Sequence, residues 1–143
     1  MYKMRFNFLR KLFQNEKVNK RHEIYGYDFD GVISIGVSPR SQCDVIITGR
    51  CIDEKEHVFK ELEKRGIENT VYFNPMTLAE RGNHTLKARR YSGEHKAKTI
   101  TGLKNRGVNI VRFFEDDTVQ MKCIAKEHAD LDIVHIKSNL VEK

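Results

Sequence analysis

The sequence has no tryptophan, only two prolines and only three cysteines among its 143 residues. Cys43, Cys51 and Cys123 are odd in number and far apart, without a Cys-x-x-Cys pair, which argues against a disulfide framework and against a zinc site. No apolar run approaches the roughly 18 residues that a membrane-spanning helix needs, and no secretory leader precedes a small-residue cleavage site. These absences favour one globular domain with reduced thiols, and we expect a cytoplasmic protein.

The net charge of +6 comes from the first 21 residues. Residues 1–21 hold seven basic side chains against Glu16 alone, whereas residues 22–143 hold 19 basic and 19 acidic side chains. Apolar side chains such as Phe6 and Phe8 lie between the charges of the first segment. The pattern predicts a basic N-terminal arm or helix followed by a single domain. Contact with nucleic acid, peripheral contact with a membrane, organellar targeting and simple packing on the domain all remain open for this arm.

Beyond the arm, short apolar runs alternate with helical patterns. The predicted strands cover Ile24–Asp28, Asp44–Thr48, Asn69–Phe73, Val108–Phe114 and Leu131–Ile136. The predicted helices cover Asp53–Arg65, Glu94–Arg106 and Val119–His128, and the polar segment 74–94 between them is predicted to be irregular. Alternation with crossovers of this length predicts an α/β fold, a three-layer Rossmann-like arrangement with a mostly parallel five-stranded sheet.

Two aspartates, Asp28 and Asp30, follow the first predicted strand. Residues i and i+2 of a strand point the same way, so both carboxylates leave the strand together, and Gly31 then allows a sharp turn. Two carboxylates held this close repel each other unless a cation lies between them, and Mg²⁺ prefers oxygen ligands. An Asp-x-Asp-Gly segment is also a common turn. A calcium loop is excluded, because Val32 and Ile33 follow in place of further oxygen ligands.

Other polar residues end neighbouring strands of the predicted sheet. Thr48 closes the second strand, Asp116 and Asp117 follow the fourth, and Lys96 lies near the start of the helix before it. In open parallel sheets, ligands bind beyond the carboxyl ends of the strands. Four separate segments therefore bring acid, hydroxyl, amine and acid to one crevice, which favours a site over a simple turn.

The order of these segments, Asp-Phe-Asp-Gly-Val, Ile-Ile-Thr-Gly-Arg, His-Lys-Ala-Lys and Phe-Phe-Glu-Asp-Asp, resembles the four motifs of the haloacid dehalogenase-like (HAD) superfamily. The resemblance extends from about residue 24 to residue 136. In that superfamily a second aspartate two residues after the first marks phosphatases and phosphotransferases. The resemblance therefore implies a Mg²⁺-dependent phosphohydrolase. Only 17 residues separate Asp30 from Thr48, too few for a folded cap domain, so a capless member is expected.

The resemblance also implies a role for each motif residue. Asp28 would be the nucleophile that accepts the phosphoryl group, and Asp30 would protonate the leaving oxygen and then activate water. Thr48 would bind phosphoryl oxygens, and Lys96, with Lys98 as the alternative, would balance the charge of the intermediate. The implied ligands of Mg²⁺ are the Asp28 carboxylate, the main-chain carbonyl of Asp30, and Asp116 or Asp117.

The form of the second motif and the cations that follow it bear on the substrate. The Thr-Gly-Arg form of the second motif resembles phosphatase domains of the polynucleotide 3′-phosphatase type, which implies that Gly49 and Arg50 bind substrate. Four further cations are candidates for a path along a phosphate backbone: Arg81, Lys87, Arg89 and Arg90. There is no kinase P-loop. We expect a substrate with a phosphorylated nucleic-acid end or a nucleotide; the alternatives are a small-metabolite phosphatase and a non-catalytic module that binds nucleic acid or membrane. The oligomeric state is not indicated.

Overall fold

The computed structural model describes residues 2–3 and 22–138. The strands are β1 (Tyr2–Lys3), β2 (Glu23–Tyr27), β3 (Val45–Cys51), β4 (Val71–Asn74), β5 (Asn109–Glu115) and β6 (Asp132–His135). The α-helices are α1 (Lys55–Lys64), α2 (Leu78–Arg81), α3 (Leu86–Asn105) and α4 (Thr118–Glu127), with 3₁₀ turns at Ile33–Ile35 and Ile52–Glu54. Within the described ranges, no helix is both long and apolar enough to cross a bilayer.

The strands form one sheet in the order β1-β4-β3-β2-β5-β6. Five neighbouring strands of this sheet are parallel to one another, namely β4, β3, β2, β5 and β6. This confirms the predicted five-stranded parallel sheet and its Rossmann-like arrangement. The two-residue strand β1 adds an antiparallel edge beside β4. It falls within the predicted N-terminal arm; the rest of that arm and residues 139–143 lie outside the described residues.

Helices pack on both faces of the sheet. In β3, Val45 and Ile47 face α3 and α4, while Ile46 between them faces α1, as the alternation of side chains along a strand requires. Each residue of this run is fully buried. The near-continuous apolar runs that predict the strands therefore reflect a sheet that is covered on both sides.

The segment 74–94 is not irregular as predicted. It contains α2 and the first nine residues of α3. Each helix is preceded by an N-cap threonine, Thr77 or Thr85, whose hydroxyl accepts an N–H group three residues later. The residues that the first turns of α3 bury are small, namely Ala88, Ser92 and Gly93. They give no apolar stripe, and for this reason the periodicity of the sequence does not reveal the helix.

Candidate active site

Three buried carboxylates converge at the carboxyl ends of β2 and β5. Asp28 is the first residue after β2, Glu115 is the last residue of β5, and Asp116 follows it. One carboxylate oxygen from each residue lies within 4.8 Å of the other two. The three residues are between 0% and 4% exposed. Because β2 and β5 are adjacent and parallel, their ends meet at the edge of the sheet where such folds bind ligands.

Lys96 on α3 joins two of these carboxylates. Its Nζ atom lies 2.9 Å from Oδ1 of Asp28 and 2.5 Å from Oε1 of Glu115, and the side chain is fully buried. The other oxygen of Glu115 accepts the main-chain N–H groups of Asp116 and Asp117 at 3.0 and 3.4 Å. Lys98, the alternative in the sequence, is exposed on the same helix. The structure therefore brings Lys96, and not Lys98, into contact with Asp28.

The charges of this cluster are unbalanced. Burial raises the pKa of Asp28 well above its ordinary value, and the nearby charge of Glu115 raises it further, although Lys96 opposes both effects. Burial and Glu115 also raise the pKa of Asp116. Burial by itself would lower the pKa of Lys96, but the charges of Asp28 and Glu115 raise it above its ordinary value. Three carboxylates thus share one ammonium group, and the two aspartates resist ionisation as a result.

This donor set fits a hard divalent cation. Mg²⁺ prefers carboxylate oxygens, and a second positive centre beside Lys96 would favour the ionised form of Asp28 and Asp116. Asp28, Glu115 and Asp116 are the side chains that can hold such an ion, since their oxygens already lie close together. The main-chain carbonyl of Asp30 remains a predicted ligand.

The side chain of Asp30 is held by Arg50. Nε of Arg50 donates to Oδ2 at 2.7 Å and Nη2 donates to Oδ1 at 2.9 Å, so the pair is bidentate. The third guanidinium nitrogen, Nη1, donates to Glu54 at 2.9 Å. These hydrogen bonds, above all those to Asp30, raise the pKa of Arg50. Both side chains remain partly exposed, at 39% for Asp30 and 30% for Arg50, so the pair is accessible from solvent, unlike the buried carboxylates.

Thr48 and Gly49 lie on β3, which continues three residues beyond the predicted end of that strand. Thr48 is fully buried, and its hydroxyl accepts the N–H group of Arg50 at 3.0 Å. Gly49 packs directly on α3, because a Cβ atom added to it would lie 2.6 Å from Oγ of Ser92. Its carbonyl accepts a hydrogen bond of 2.6 Å from Nη1 of Arg81. This part of β3 is thus held in place by contacts with α2 and α3.

Asp117 has a different environment from Asp116. It is the N-cap of α4, accepting the N–H group of Val119 at 2.9 Å, and it forms a bidentate pair with Arg89 at 2.7 and 3.0 Å. Burial would raise the pKa of Asp117, but hydrogen bonds from Arg89 and Gln120 lower it below its ordinary value. Of the two predicted alternatives for a metal ligand, Asp116 belongs to the carboxylate cluster, and Asp117 is bound to Arg89.

Gly31 is required by the close approach of Asp116. Its φ angle is +79°, and a Cβ atom at this position would lie 2.1 Å from Oδ2 of Asp116. Its N–H group donates to Oγ of Ser34 at 2.9 Å. The glycine after the two aspartates therefore serves both the turn and the cluster, because any side chain there would displace a carboxylate.

The cations predicted to line a path for substrate fall into two groups. Arg81 and Arg89 hold protein groups at the edge of the sheet, the carbonyl of Gly49 and the carboxylate of Asp117 respectively. Lys87 and Arg90 are exposed on the first turns of α3. Nζ of Lys87 lies 5.6 Å from the centre of the Tyr91 ring. Only the exposed pair is therefore directly accessible to an anion in solution.

The sequence leaves open whether Glu115 supports the metal ligands or is exposed, and Glu115 is not among the predicted site residues; in the structure it belongs to the buried cluster. The available signal was the alternation of β5: Phe113 is fully buried, and Glu115, two residues later, points to the same face and is also fully buried. Lys96 of α3 confirms this shared face, since its Nζ atom is 5.8 Å from the Phe113 ring centre and contacts Glu115.

No protein-family model, no curated protein and no solved structure gave a significant match to this chain.

Proposed function

We propose that this chain is a Mg²⁺-dependent phosphohydrolase of the HAD type, without a cap domain, that works through an aspartyl-phosphate on Asp28. The observation that carries the proposal is the buried cluster of Asp28, Glu115 and Asp116 around Lys96. The order of the four motifs in the sequence supports it independently, and so does the position of the cluster at the carboxyl edge of the parallel sheet.

A purely structural role for the cluster is disfavoured by its energetics. Removing carboxylates from water costs several kcal/mol per ion, and one lysine compensates only part of that cost for three acids. A domain of this size gains enough stability from apolar burial on both faces of its sheet. A buried, charge-imbalanced group at a ligand-binding edge is typical of a functional site.

In the first half of the proposed reaction, an oxygen of Asp28 attacks phosphorus. The new bond joins that oxygen to phosphorus, and the bond from phosphorus to the ester oxygen breaks. Asp30 supplies a proton to the leaving oxygen, so that an alcohol departs. The ammonium group of Lys96, 2.9 Å from Asp28, keeps this carboxylate oriented and offsets negative charge as the phosphoryl group arrives.

In the second half, water attacks the phosphorus of the aspartyl-phosphate. Asp30 removes the proton of the water, the bond between phosphorus and Asp28 breaks, and inorganic phosphate leaves. Thr48 and the main chain around Gly49 provide donors for phosphoryl oxygens at the end of β3. When bound by Asp28, Glu115 and Asp116, Mg²⁺ would supply positive charge that offsets the repulsion between the carboxylates and the phosphate.

The pair of Arg50 and Asp30 gives this proposal a substrate-dependent step. A bidentate guanidinium stabilises an ionised carboxylate, so Asp30 cannot deliver a proton while Arg50 holds both of its oxygens. The phosphate of the substrate is the competing anion that the reaction itself provides. We expect Arg50 to exchange Asp30 for the phosphate during binding. The released Asp30 carboxylate can then take up from solvent the proton that it passes to the leaving oxygen.

The decisive experiment is an assay of p-nitrophenyl phosphate hydrolysis with and without Mg²⁺. The unmodified chain should release p-nitrophenol only with Mg²⁺, and Asp28→Asn should reduce the rate to background because the amide is a poor nucleophile. Asp130→Asn is the matched control, since Asp130 is exposed and paired with Lys104. Absence of turnover by the unmodified chain, or turnover that survives Asp28→Asn, would exclude the proposed mechanism and favour a non-catalytic binding module.

The substrate class is proposed to be a phosphorylated nucleic-acid end or a nucleotide. Support comes from Lys87 and Arg90, which are exposed at the start of α3 next to Arg89, and from the Thr-Gly-Arg form of the second motif. A panel of 3′-phosphorylated oligonucleotides, nucleotides and sugar phosphates separates this class from small metabolites. A higher kcat/KM for oligonucleotides that falls in the double variant Lys87→Ala/Arg90→Ala supports it; preference for a sugar phosphate contradicts it.

A further inference from the structure

The chain after β6 reaches the carboxylate cluster. β6 pairs with β5 so that His135 lies beside Glu115, and the N–H group of Ile136 donates to the carbonyl of Glu115 at 2.8 Å. The segment therefore continues alongside the end of β5 towards Asp116. None of the four sequence motifs includes this segment.

Two side chains of this segment bind Asp116 from different directions. Oγ of Ser138 donates to Oδ2 of the Asp116 carboxylate at 2.9 Å. Nε2 of His135 lies 3.0 Å from the main-chain carbonyl of the same residue. The side chain and the main chain of Asp116 are thus held by one stretch of four residues.

Ser138 also lies against the turn that carries the catalytic aspartates. A Cβ atom added to Gly31 would lie 2.9 Å from Oγ of Ser138 and 2.1 Å from Oδ2 of Asp116. The carboxylate is therefore confined on one side by the main chain of Gly31 and bound on another by the hydroxyl. Carboxylates that bind metals depend on such contacts, because hydrogen bonds from outside the ligand set fix the orientation of the ligand.

We propose that Ser138 is a positioning residue for the metal site, and that its hydroxyl fixes the Asp116 carboxylate in the orientation that binds the cation. This inference rests on the metal site of the proposed function. It extends that site to a segment near the end of the chain. A serine at this position would then contribute to cation affinity without contacting the phosphate ester.

The test compares Ser138→Thr with Ser138→Val, two side chains of nearly equal shape that differ in the hydroxyl. Mn²⁺, a spectroscopic and calorimetric substitute for Mg²⁺, is titrated into the full chain by isothermal titration calorimetry, with Mg²⁺ as competitor. Ser138→Val should weaken binding by about 10- to 100-fold, as is usual when such a contact is lost. Ser138→Thr should remain within about 3-fold of the unmodified chain. Ser38→Val, at an exposed serine, is the control and should leave affinity unchanged.

The outcomes separate this inference from the proposed function. Equal Mn²⁺ affinity of the threonine and valine variants, with binding by the unmodified chain intact, overturns the role of Ser138 and leaves the metal site standing. Failure of the unmodified chain to bind Mn²⁺ or Mg²⁺ overturns the metal site and the role of Ser138 together. Because both variants introduce a β-branched side chain, a folding defect shared by both would cancel in the comparison, and thermal unfolding followed by circular dichroism measures it.

Discussion

A fully buried lysine remains charged only where carboxylates surround it, and Lys96 meets this condition through Asp28 and Glu115. The dependence is mutual, because each acid would otherwise be a buried charge without a cation. At the scale of the residue, the contacts of Lys96 therefore contribute both to the proposed chemistry and to the stability of the domain. Single substitutions can separate the two contributions.

Lys96→Met should lower the free energy of unfolding by about 3 kcal/mol at pH 7 without divalent cations, because it leaves Asp28 and Glu115 buried without their shared partner. Urea denaturation followed by circular dichroism measures the change. Lys98→Met is the matched control, because Lys98 is exposed on the same helix and should shift stability by less than about 0.5 kcal/mol. Equal losses in the two variants would show that burial of the pair does not matter.

Gly31→Ala should abolish tight binding of Mn²⁺, whereas Gly36→Ala should not. Both positions have positive φ, +79° and +112°, so both substitutions should cost about 1–2 kcal/mol of stability through the backbone. Only at Gly31 does the new methyl group meet Asp116; nothing lies within 4 Å at Gly36. Calorimetric titration of both variants checks the difference, and unchanged Mn²⁺ affinity in Gly31→Ala would refute a cluster that closes on this glycine.

At the scale of the element, α3 organises the edge of the site. Three of its residues contact different motifs: Arg89 binds Asp117, Ser92 packs on Gly49, and Lys96 binds the acids. The spacing of three to four residues places them on one face of the helix. Any shift of α3 therefore moves partners of three motifs at once.

Gly93→Ala should destabilise the domain by about 1–3 kcal/mol, although alanine favours a helix by up to about 1 kcal/mol. The added Cβ atom would lie 2.7 Å from Cβ of Cys123 and 3.0 Å from Cα of Gln120, so α4 would have to move away from α3. Thermal and urea unfolding measure the loss, and Lys98→Ala, exposed on the same helix, serves as the neutral control. A stabilised Gly93→Ala would mean that the two helices do not pack this closely.

The elements that the sequence predicts well are those whose burial shows in apolar side chains. The strand around Ile46 and the helix around Leu62 are examples, because each follows its expected period. The start of α3 is missed since it buries Ala88, Ser92 and Gly93, whose size carries no hydrophobic signal. Caps at Thr77 and Thr85 were the available local evidence.

The residues of the candidate site also differ in how well the sequence predicts their positions. Asp28 and Lys96 could be placed together because Asp28 follows a predictable strand and Lys96 lies in the part of α3 that the sequence predicts. Glu115 could not be placed with them from its polarity, since a glutamate in a strand is usually exposed. The assignment of Asp117 depends on Arg89, which lies on the part of α3 that the sequence does not reveal.

At the scale of the whole molecule, charge outside the N-terminal arm is balanced, with 19 basic and 19 acidic side chains over residues 22–143. The pH dependence of stability therefore comes from individual buried groups and not from the net charge. His95 is one of these, because it is buried on α3 beside Lys96. Burial, followed by the charge of Lys96, lowers the pKa of His95 to about 3.

Acid should destabilise the chain through His95. Between the unfolded pKa near 6.5 and the folded value of about 3, the unfolded chain binds one more proton at this ring. The free energy of unfolding should therefore fall by about 1.4 kcal/mol per pH unit from this group as pH decreases. Urea unfolding between pH 5.5 and pH 4 gives the slope of the unfolding free energy against pH. This slope should be smaller by about that amount in His95→Gln and unchanged in the control His84→Gln, which alters an exposed histidine. Identical slopes in all three proteins would contradict burial of a neutral ring.

The pairing of β2 with β5 has a consequence for when the site can exist during synthesis. Tyr25 and Arg112, in contact across this pair, are 87 residues apart in the chain. Asp28 and Glu115 have the same wide separation, so a nascent chain contains Asp28 long before Glu115 is made, and contacts between such distant residues form late. Translation must pass β5, and must reach Ser138 for Asp116 to gain its hydroxyl partner. Incomplete chains carry the nucleophile without its surroundings, so cation binding should not appear before residue 138 has been made and has left the ribosome.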